Sequence, residues 1–333
     1  MGPFGKRQFT LNHAYGIMAA SFSVEKCPKE YQPYSCNLSD RERQLAKELL
    51  GEDDTVREQA LRDIRDWIAK HPHIRKCRTD PMFLLRFLRA KKFNLTEACE
   101  TLERYLSMRQ VFKIWLENLD PEDKYMKQLV ATEGALPLGV DKRGRMVALV
   151  KVRNFDATKY TSHHLGRFTH MALEAFHDDE RVQIGGGVAI VDCEDATMAH
   201  FTLFKLSDIR NFMDCLKQAL PVRVQEVHLI GLPRIGAALG DLILKLASAE
   251  MKRRISFHAT LSDALKLLDV QLLPVEYGGS QSATDVTQRF RERLDASRQM
   301  LLQLDELDID AAPYAELWNQ GKDEDVEFGM EID

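Results

Sequence analysis

Ten histidines stand out in this sequence as side chains that could bind a metal ion or carry a proton near neutral pH. Four of them, His163, His164, His170 and His177, fall within one predicted helix. His170 and His177 are seven residues apart and would share a helix face. The cysteine or carboxylate spacing of a recognised metal site is missing, so we expect packing or solvated histidines and no bound metal. Ester hydrolysis by His170 or His177 is the remaining catalytic alternative.

Known catalytic and nucleotide-binding motifs do not occur in the sequence. It has no G-x-x-x-x-G-K-[ST], no G-x-S-x-G and no H-E-x-x-H, and the glycines at 185–187 precede a predicted strand instead of joining a strand to a helix. The six cysteines include no C-x-x-C pair, which predicts reduced thiols that mostly pack. We therefore expect a protein that is not an enzyme and needs no cofactor.

The net charge of −5 hides an uneven charge distribution. Residues 57–113 hold fourteen Lys and Arg against seven Asp and Glu, whereas residues 305–333 hold eleven acids and one lysine. A chain that is acidic overall is a poor nucleic-acid binder, so no nucleic-acid partner is expected. No apolar run approaches the roughly 18 residues of a membrane-spanning helix, and Lys6 and Arg7 begin a poor signal peptide, which predicts a cytoplasmic protein.

Local signals predict a helical N-terminal half. Residues 1–37 show no hydrophobic period and are expected to form a flexible arm. Ser39, Asp80 and Asn94 each have the form of an N-cap that starts a helix. Residues 38–118 are therefore predicted to form a small helical bundle.

The hydrophobic period changes after residue 118. Short apolar runs alternate with helical stretches; the runs lie at 136–140, 146–152, 188–191, 227–230 and 255–258, and the stretches at 161–178, 205–218 and 236–250. Strands that alternate with helices predict an α/β domain with a mostly parallel sheet, here at 119–283. A C-terminal helix at 284–304 and an acidic tail at 305–333 complete the expected organisation.

A cationic surface is predicted for residues 83–93. The apolar residues of this helix can face a core while its basic residues project elsewhere, these being Arg86, Arg89, Lys91 and Lys92. The alternative is an ordinary amphipathic helix with solvated arginines.

Several segments, in the same order along the chain, resemble the CRAL-TRIO lipid-binding family. They are residues 80–94 with Ala98 and Tyr105, then 139–147, 190–192, 220–223, 227–233 and 273–279. These segments are similar to the family's helical signature, first hairpin, central strand, next helix–strand–turn unit and closing turn. The similarity extends over about residues 40–300 and is greatest to the branch of tocopherol-transfer, retinaldehyde-binding and clavesin-like proteins.

The resemblance implies an all-α domain followed by an α/β domain, in which a sheet and a lid helix enclose one hydrophobic molecule. The implied pocket residues are Val152, Phe168, Thr169, Leu173, Phe176, Ala189, Val191, Phe212, Cys215, Leu216, Val227 and Leu229. Plain core packing is the alternative for each of them. Leu173 stands where the tocopherol carrier has a polar residue, so the polar end of the ligand is expected to be held differently here.

The resemblance also implies a mobile lid. Its apolar residues recur at helical spacing and are Ile235, Leu239, Leu242, Ile243 and Leu246. Gly231, Gly236 and Gly240 would permit hinging. A fixed core helix is the alternative.

A cationic cleft for phosphatidylinositol bisphosphates is a further implication. The basic residues that match it, or lie next to those that do, are Arg86, Arg89, Arg223, Lys252, Arg253 and Arg254. Guanidinium and ammonium groups suit clustered phosphates through charge-assisted hydrogen bonds. Gln225 and Glu250 stand where the tocopherol carrier is basic, so weaker or differently selective binding is expected.

The function that the resemblance implies is non-catalytic binding and intracellular transfer of a retinoid, a tocopherol or a similar lipid. Its partners would be the lipid cargo and phosphoinositide-containing membranes, with transient association to endosomal or other intracellular membranes. The alternative is a protein whose pocket is vestigial and which acts as a phosphoinositide-dependent interaction or trafficking module.

Overall fold

The computed structural model describes residues 22–319. The N-terminal half contains α1 (Asp40–Leu50), α2 (Asp54–Lys70), β1 (Ile74–Lys76), α3 (Pro81–Ala90), α4 (Leu95–Val111), α5 (Lys113–Leu116) and α6 (Lys124–Ala131). The second half contains β2 (Ala135–Val140), β3 (Met146–Lys151), α7 (Ser162–His177), α8 (Glu180–Gly185), β4 (Gly187–Asp192), α9 (Met198–Thr202), α10 (Leu206–Gln218), β5 (Val224–Ile230), α11 (Ala237–Leu246), α12 (Ala249–Lys252), β6 (Ile255–His258), α13 (Leu261–Leu265), α14 (Ala283–Gln303), β7 (Asp308–Ile309) and α15 (Ala315–Asn319).

The helix starts follow from local chemistry. Ser39 forms a capping box with Glu42, since its side chain accepts from the Glu42 N–H and the Glu42 carboxylate accepts in return. Asp80 and Asn94 accept the N–H groups of the residues three positions on. The three predicted helix starts are confirmed.

Five strands form one sheet in the order β2-β3-β4-β5-β6. The β2–β3 hairpin is antiparallel, and β3, β4, β5 and β6 pair in parallel. Helices form the crossovers between the parallel strands, as parallel pairing requires. The predicted fold, a helical N-terminal region followed by an α/β domain with a mostly parallel sheet, is confirmed.

One face of this sheet is closed by packing. Val188 and Ile190 of β4 are 3% and 1% exposed, and Ile230 of β5 is 0% exposed. Leu273 and Val286, from the segments that follow β6, pack on the same cluster. This side of the sheet is a solid hydrophobic core.

The segment before α1 is attached to the fold, which corrects the expectation of a flexible arm for residues 22–37. The Arg78 guanidinium lies 4.1 Å from the centre of the Phe22 ring, the Cys77 N–H donates to the Val24 carbonyl at 2.9 Å, and the Tyr34 hydroxyl donates to Glu180 at 2.7 Å. Residues 1–21 lie outside the described part of the chain.

The segment after α14 is also folded, which corrects the expected start of the acidic tail at residue 305. β7 pairs with β1 in antiparallel fashion, and Leu307, Ile309 and Trp318 are buried in the bundle core. The Trp318 indole N–H donates to the Ser107 hydroxyl at 3.0 Å. The remainder of the predicted tail, 320–333, lies outside the described residues.

α14 packs against β2 and α7. The predicted domain boundaries, between residues 118 and 119 and between residues 283 and 284, remain predictions.

Between residues 22 and 319, no helix combines the length and the apolar character that crossing a membrane requires.

Candidate functional site

The second face of the sheet remains partly accessible at its centre. Ala189 and Val191 of β4 pair with Val227 and Leu229 of β5, and all four side chains are only half-buried. Central strands are flanked on both edges by other strands, so exposure here arises from open space above the sheet. The structure therefore brings together, as one apolar floor, four of the five pocket residues that were predicted on strands.

The sequence interpretation missed three further residues of this face. Ala148 and Val150 of β3 are half-buried beside Ala189 and Val191, and Phe257 of β6 pairs with Leu229 and is 44% exposed. The two-residue alternation of strands would have identified them once the strands were aligned.

Val152, which was predicted to line the pocket, does not lie in the strand row that forms the floor. It follows the last residue of β3 and begins a 3₁₀ turn at residues 152–154. Its half-buried side chain therefore lies beyond the strand row that forms the floor.

The predicted residues on α7 divide into two that are partly accessible and two that are buried. Thr169 and Leu173 are half-buried. Phe168 and Phe176 are 3% and 8% exposed, and their rings lie 6.3 and 6.1 Å from the ring of Phe290 on α14. For these two phenylalanines the core-packing alternative holds in this conformation, because α14 fills the space they face.

α10 shows the same division. Phe212 and Leu216 are half-buried, whereas Cys215 is fully buried in the core. Burial raises the pKa of the Cys215 thiol, as expected for a packing residue. Two of the three predicted pocket residues on α10 are therefore partly accessible, and the third belongs to the core.

α11 corresponds to the predicted lid. Its outer face is exposed and includes Asp241 and Lys245, while its predicted apolar residues are half-buried. These are Leu239, Leu242, Ile243 and Leu246; the side chain of Ile235 is outside what the structure describes. The helix is thus amphipathic, and α10 is among the elements it contacts.

The lid glycines serve different purposes. Gly231 has φ +61° at the point where the chain leaves β5, a conformation that suits glycine. A Cβ at Gly236 would lie 2.7 Å from the Phe201 ring and 2.8 Å from Leu232, and one at Gly240 would lie 3.3 Å from Phe257. Close packing therefore explains Gly236 and Gly240, and a positive φ explains Gly231, where a Cβ would also lie 2.4 Å from the Glu194 side chain.

Arg86 and Arg89 correct the predicted cationic surface. They are 1% and 0% exposed, so a membrane headgroup cannot reach them in this conformation. They belong to a buried arginine–carboxylate cluster between α3 and the α7–α8 region, formed by Arg78, Arg86, Arg89, Glu52, Glu174, Asp178 and Glu180. Lys92 is exposed and Lys91 is half-buried.

Electrostatics keep this cluster charged. Burial opposes the charge of Arg86, but the charges of Asp178 and Glu174 outweigh burial and raise the pKa of Arg86. Burial alone would raise the pKa of Glu174, but the Arg86 charge holds it well below its usual value. These arginines act as structural residues that join two parts of the fold.

The other predicted basic residues lie near one another at the surface. Burial and the neighbouring charge of Arg254 lower the pKa of Arg223, whose guanidinium donates to the carbonyls of Gln183 and Ile184. Arg254 donates to the Val224 carbonyl and pairs with Glu250 at 2.5 Å. Lys252 and Arg253 are exposed. A basic surface of four residues therefore remains, with Glu250 partly neutralising it.

His170 and His177 do not have the surroundings of catalytic residues. They are 0% and 5% exposed, and His170 lies between Trp115 and Phe212. Burial lowers the pKa of His170 to about 4. Within residues 22–319, no group of three or more His, Cys, Asp and Glu side chains could hold a metal ion.

Two protein-family models match separate parts of the chain. Residues 132–279, which contain the sheet, the open face and α11, match the model described as "CRAL/TRIO domain". Residues 53–126 match the model described as "Pinta-like, UBA domain". The part of the chain that carries the sheet thus matches the CRAL/TRIO domain model, and the helical part before it matches a different model.

Among curated proteins, the chain is similar to clavesins. It is 29% identical to human (Homo sapiens) Clavesin-2 over 262 residues, which is 78% of this chain and 80% of that protein. It is 29% identical to Clavesin-1 of Xenopus laevis over 241 residues, or 71% and 72% of the two chains. A solved structure described as "Crystal structure of Sfh5" aligns with a TM-score of 0.44 at 13% identity, covering 75% of this chain and 90% of that one.

Proposed function

We propose that this protein binds one hydrophobic small molecule above the open sheet face and transfers it between intracellular membranes without a catalytic step. The observation that supports the proposal is the contrast between the two faces of the sheet. Val188 and Ile190 are closed off by packing, while their neighbours Ala189 and Val191 are accessible although they lie on the same central strand. A ligand that covers the accessible face gains about 25 cal/mol per Å² of apolar surface removed from water, before ordering costs.

α11 is the proposed lid over this face. Its apolar side is turned inward and its polar side outward, and Gly231 provides a joint at its start. Opening at a membrane would exchange contacts with the cargo for contacts with lipid, which lowers the cost of exposing apolar side chains. A membrane favours the open state only to the extent that it binds that state better.

The proposed cargo is a retinoid, a tocopherol or a similar lipid with a small polar end. The floor residues Ala189, Val191, Val227 and Leu229 carry no polar side-chain atoms. Thr169 has the only hydroxyl among the predicted pocket residues, and it donates to the Leu165 carbonyl at 2.8 Å. Its oxygen remains free to accept, so an alcohol suits this position better than an aldehyde or ester.

The proposed membrane contact is the surface formed by Arg223, Lys252, Arg253 and Arg254, with phosphatidylinositol bisphosphate as the recognised headgroup. Lys252 and Arg253 are exposed, and Arg254 directly precedes β6. β6 pairs with β5, the strand that leads to Gly231 and the lid. Each such residue near anionic lipid contributes about 1 kcal/mol. The proposal places the protein in the cytoplasm, with transient contact to endosomal or other intracellular membranes.

The test of the carrier proposal is identification of a copurifying molecule. Full-length protein purified from animal cells would be weighed by native mass spectrometry and then extracted with organic solvent. We expect one apolar molecule per chain. A chain that stays empty after incubation with retinol, tocopherol and total lipid extract, yet still binds phosphoinositide vesicles, would instead support the interaction-module alternative.

A further inference from the structure

Two histidines face each other across β5 and β6, on the closed side of the sheet. The distance from His228 Nδ1 to His258 Nε2 is 3.0 Å, and His228 Nε2 lies 3.2 Å from Glu226 Oε2. His228 is 3% exposed and His258 is half-buried. Neither histidine belongs to the proposed pocket or to the basic surface.

The chemistry of this contact limits the number of protons that it accepts. A carboxylate only accepts, so the hydrogen between Glu226 and His228 must be on His228 Nε2. In the neutral pair, His258 Nε2–H therefore donates to His228 Nδ1. One added proton leaves a single hydrogen between the facing nitrogens, but a second proton places a hydrogen on each and turns the contact into repulsion.

The surrounding charges do not remove this restriction. Arg145 pairs with Glu226 at 2.6 Å, and Arg143 lies 3.7 Å from the same carboxylate. From α13, Asp263 acts on His258, but its carboxylate is already engaged by the Lys266 ammonium at 2.9 Å and by Thr260. Burial and the charge of His228 together lower the pKa of His258, against the influence of Asp263.

β6 contacts both the segment that precedes α11 and α11 itself. The Gly231 N–H, at the joint before α11, donates to the His258 carbonyl at 3.0 Å. A Cβ at Gly240, within α11, would lie 3.3 Å from the Phe257 ring. β6 is also an edge strand of the described sheet, paired with β5 on one side. Displacement of β6 would therefore loosen the joint and the packing of α11 together.

We infer that the His228–His258 pair is an acid-sensitive contact: addition of a second proton separates β6 from β5 and frees α11. The consequence for cargo release rests on the proposed role of α11 as a lid, whereas the loosening of β6 does not. Acidity would then act as a second opening signal, independent of the basic surface.

The test is amide hydrogen exchange of the full-length protein without added cargo, from about pH 7 down to about pH 4, because burial and the first proton move the second protonation below the range where unperturbed histidines titrate. After correction for the intrinsic pH dependence of exchange, the protection of the Gly231 amide should fall by about tenfold or more in the unmodified chain. In His258→Gln, the amide nitrogen replaces Nε2 as a donor but takes no proton, so protection should stay constant. His163→Gln, at an exposed position on α7, should behave like the unmodified chain.

Equal loss of Gly231 protection in His258→Gln and in the unmodified chain would overturn the inference, as would no loss in the unmodified chain. Imidazole nitrogen NMR of the unmodified chain gives a second readout that needs no variant. The exchange protection of the Gly231 amide must fall when the pair takes up its second proton. A fall with the first proton would also overturn the inference. An empty pocket in the extraction experiment would remove the carrier proposal but leave this result unaffected.

Discussion

Arg86 of α3 and Glu174 of α7 form an ion pair of 2.7 Å in which both side chains are 1% exposed. The Tyr105 hydroxyl donates to the other oxygen of Glu174 at 2.7 Å, and Asp178 contacts the same guanidinium. A buried charge that loses its partner is strongly unfavourable, so this contact fixes how α3 packs on α7.

Arg86→Ala should lower the free energy of unfolding by about 3–5 kcal/mol, because it leaves Glu174 buried without a guanidinium and leaves Asp178 with Arg78 as its remaining arginine partner. Denaturant unfolding followed by circular dichroism measures the change. Arg104→Ala is the matched control: Arg104 pairs with Glu100 at 3.5 Å on the surface, and its loss should cost less than about 1 kcal/mol. Similar losses for the two variants would contradict the structural role of Arg86.

His170→Phe should make the protein less sensitive to acid. Burial lowers the pKa of His170 from 6.5 to about 4, so the folded state resists protonation and its stability falls as the pH drops through this window. The loss attributable to His170 is about 3 kcal/mol across the window. The lowered pKa values of Glu174 and Asp178 place their contribution at lower pH. Between pH 6.5 and about 4, the parent should therefore lose about 3 kcal/mol more unfolding free energy than His170→Phe, whereas His163→Gln should follow the parent.

Leu173→Trp should reduce the amount of bound cargo, since the larger ring would occupy space above the floor. Native mass spectrometry of protein loaded with retinol or tocopherol gives the fraction occupied. Leu267→Trp adds the same ring at a position that is 60% exposed and should load normally. Full loading of a stable Leu173→Trp protein would place the cargo elsewhere.

Substitution of the basic surface should weaken binding to phosphatidylcholine vesicles that contain phosphatidylinositol bisphosphate. Arg223→Ala with Arg254→Ala, or Lys252→Ala with Arg253→Ala, removes two charges and should reduce affinity by roughly tenfold or more. Cosedimentation measures the affinity for the vesicles, and the difference in affinity between variant and parent should shrink as salt is added. Lys47→Ala with Arg62→Ala removes two exposed charges from α1 and α2 and should bind as the parent does. Unchanged binding of both test variants would exclude this surface.

Gly236→Ala should disturb the lid more than Gly240→Ala. A methyl group at Gly236 would meet Phe201 and Leu232 at 2.7 and 2.8 Å, whereas at Gly240 its nearest neighbours lie at 3.2 and 3.3 Å. We expect faster hydrogen exchange in residues 237–246 and faster cargo release for Gly236→Ala. Ala237→Ser changes an exposed neighbour and controls for substitution as such. The reverse order of the two glycine variants would show that these contacts do not hold α11.

Features set by neighbouring residues were predictable from the sequence. The caps at Ser39, Asp80 and Asn94 depend on side chains three residues away, and the strand runs depend on a two-residue period. β1 and β7 were missed because three and two residues are too few to show a period. Their pairing joins positions more than two hundred residues apart in the sequence.

The positions of the arginines could not be predicted in the same way. The amphipathic pattern of α3 separates its apolar residues from Arg86 and Arg89, but it does not distinguish a face exposed to water from a face covered by α7 and α8. Carboxylates that come about ninety residues later decide the outcome, at Glu174 and Glu180. The same holds for Phe168 and Phe176, whose burial depends on Phe290 of α14.

The buried arginine–carboxylate cluster also restricts the path of the cargo. Separating the helical bundle from α7 and α8 would leave several buried charges without partners. The binding of a small apolar molecule could not offset the free energy that this costs. The proposed entry and exit of the cargo therefore lie at α11 and not between the bundle and α7. A carrier built in this way would keep its helical bundle fixed and move only α11, because the buried carboxylates prevent the bundle from separating.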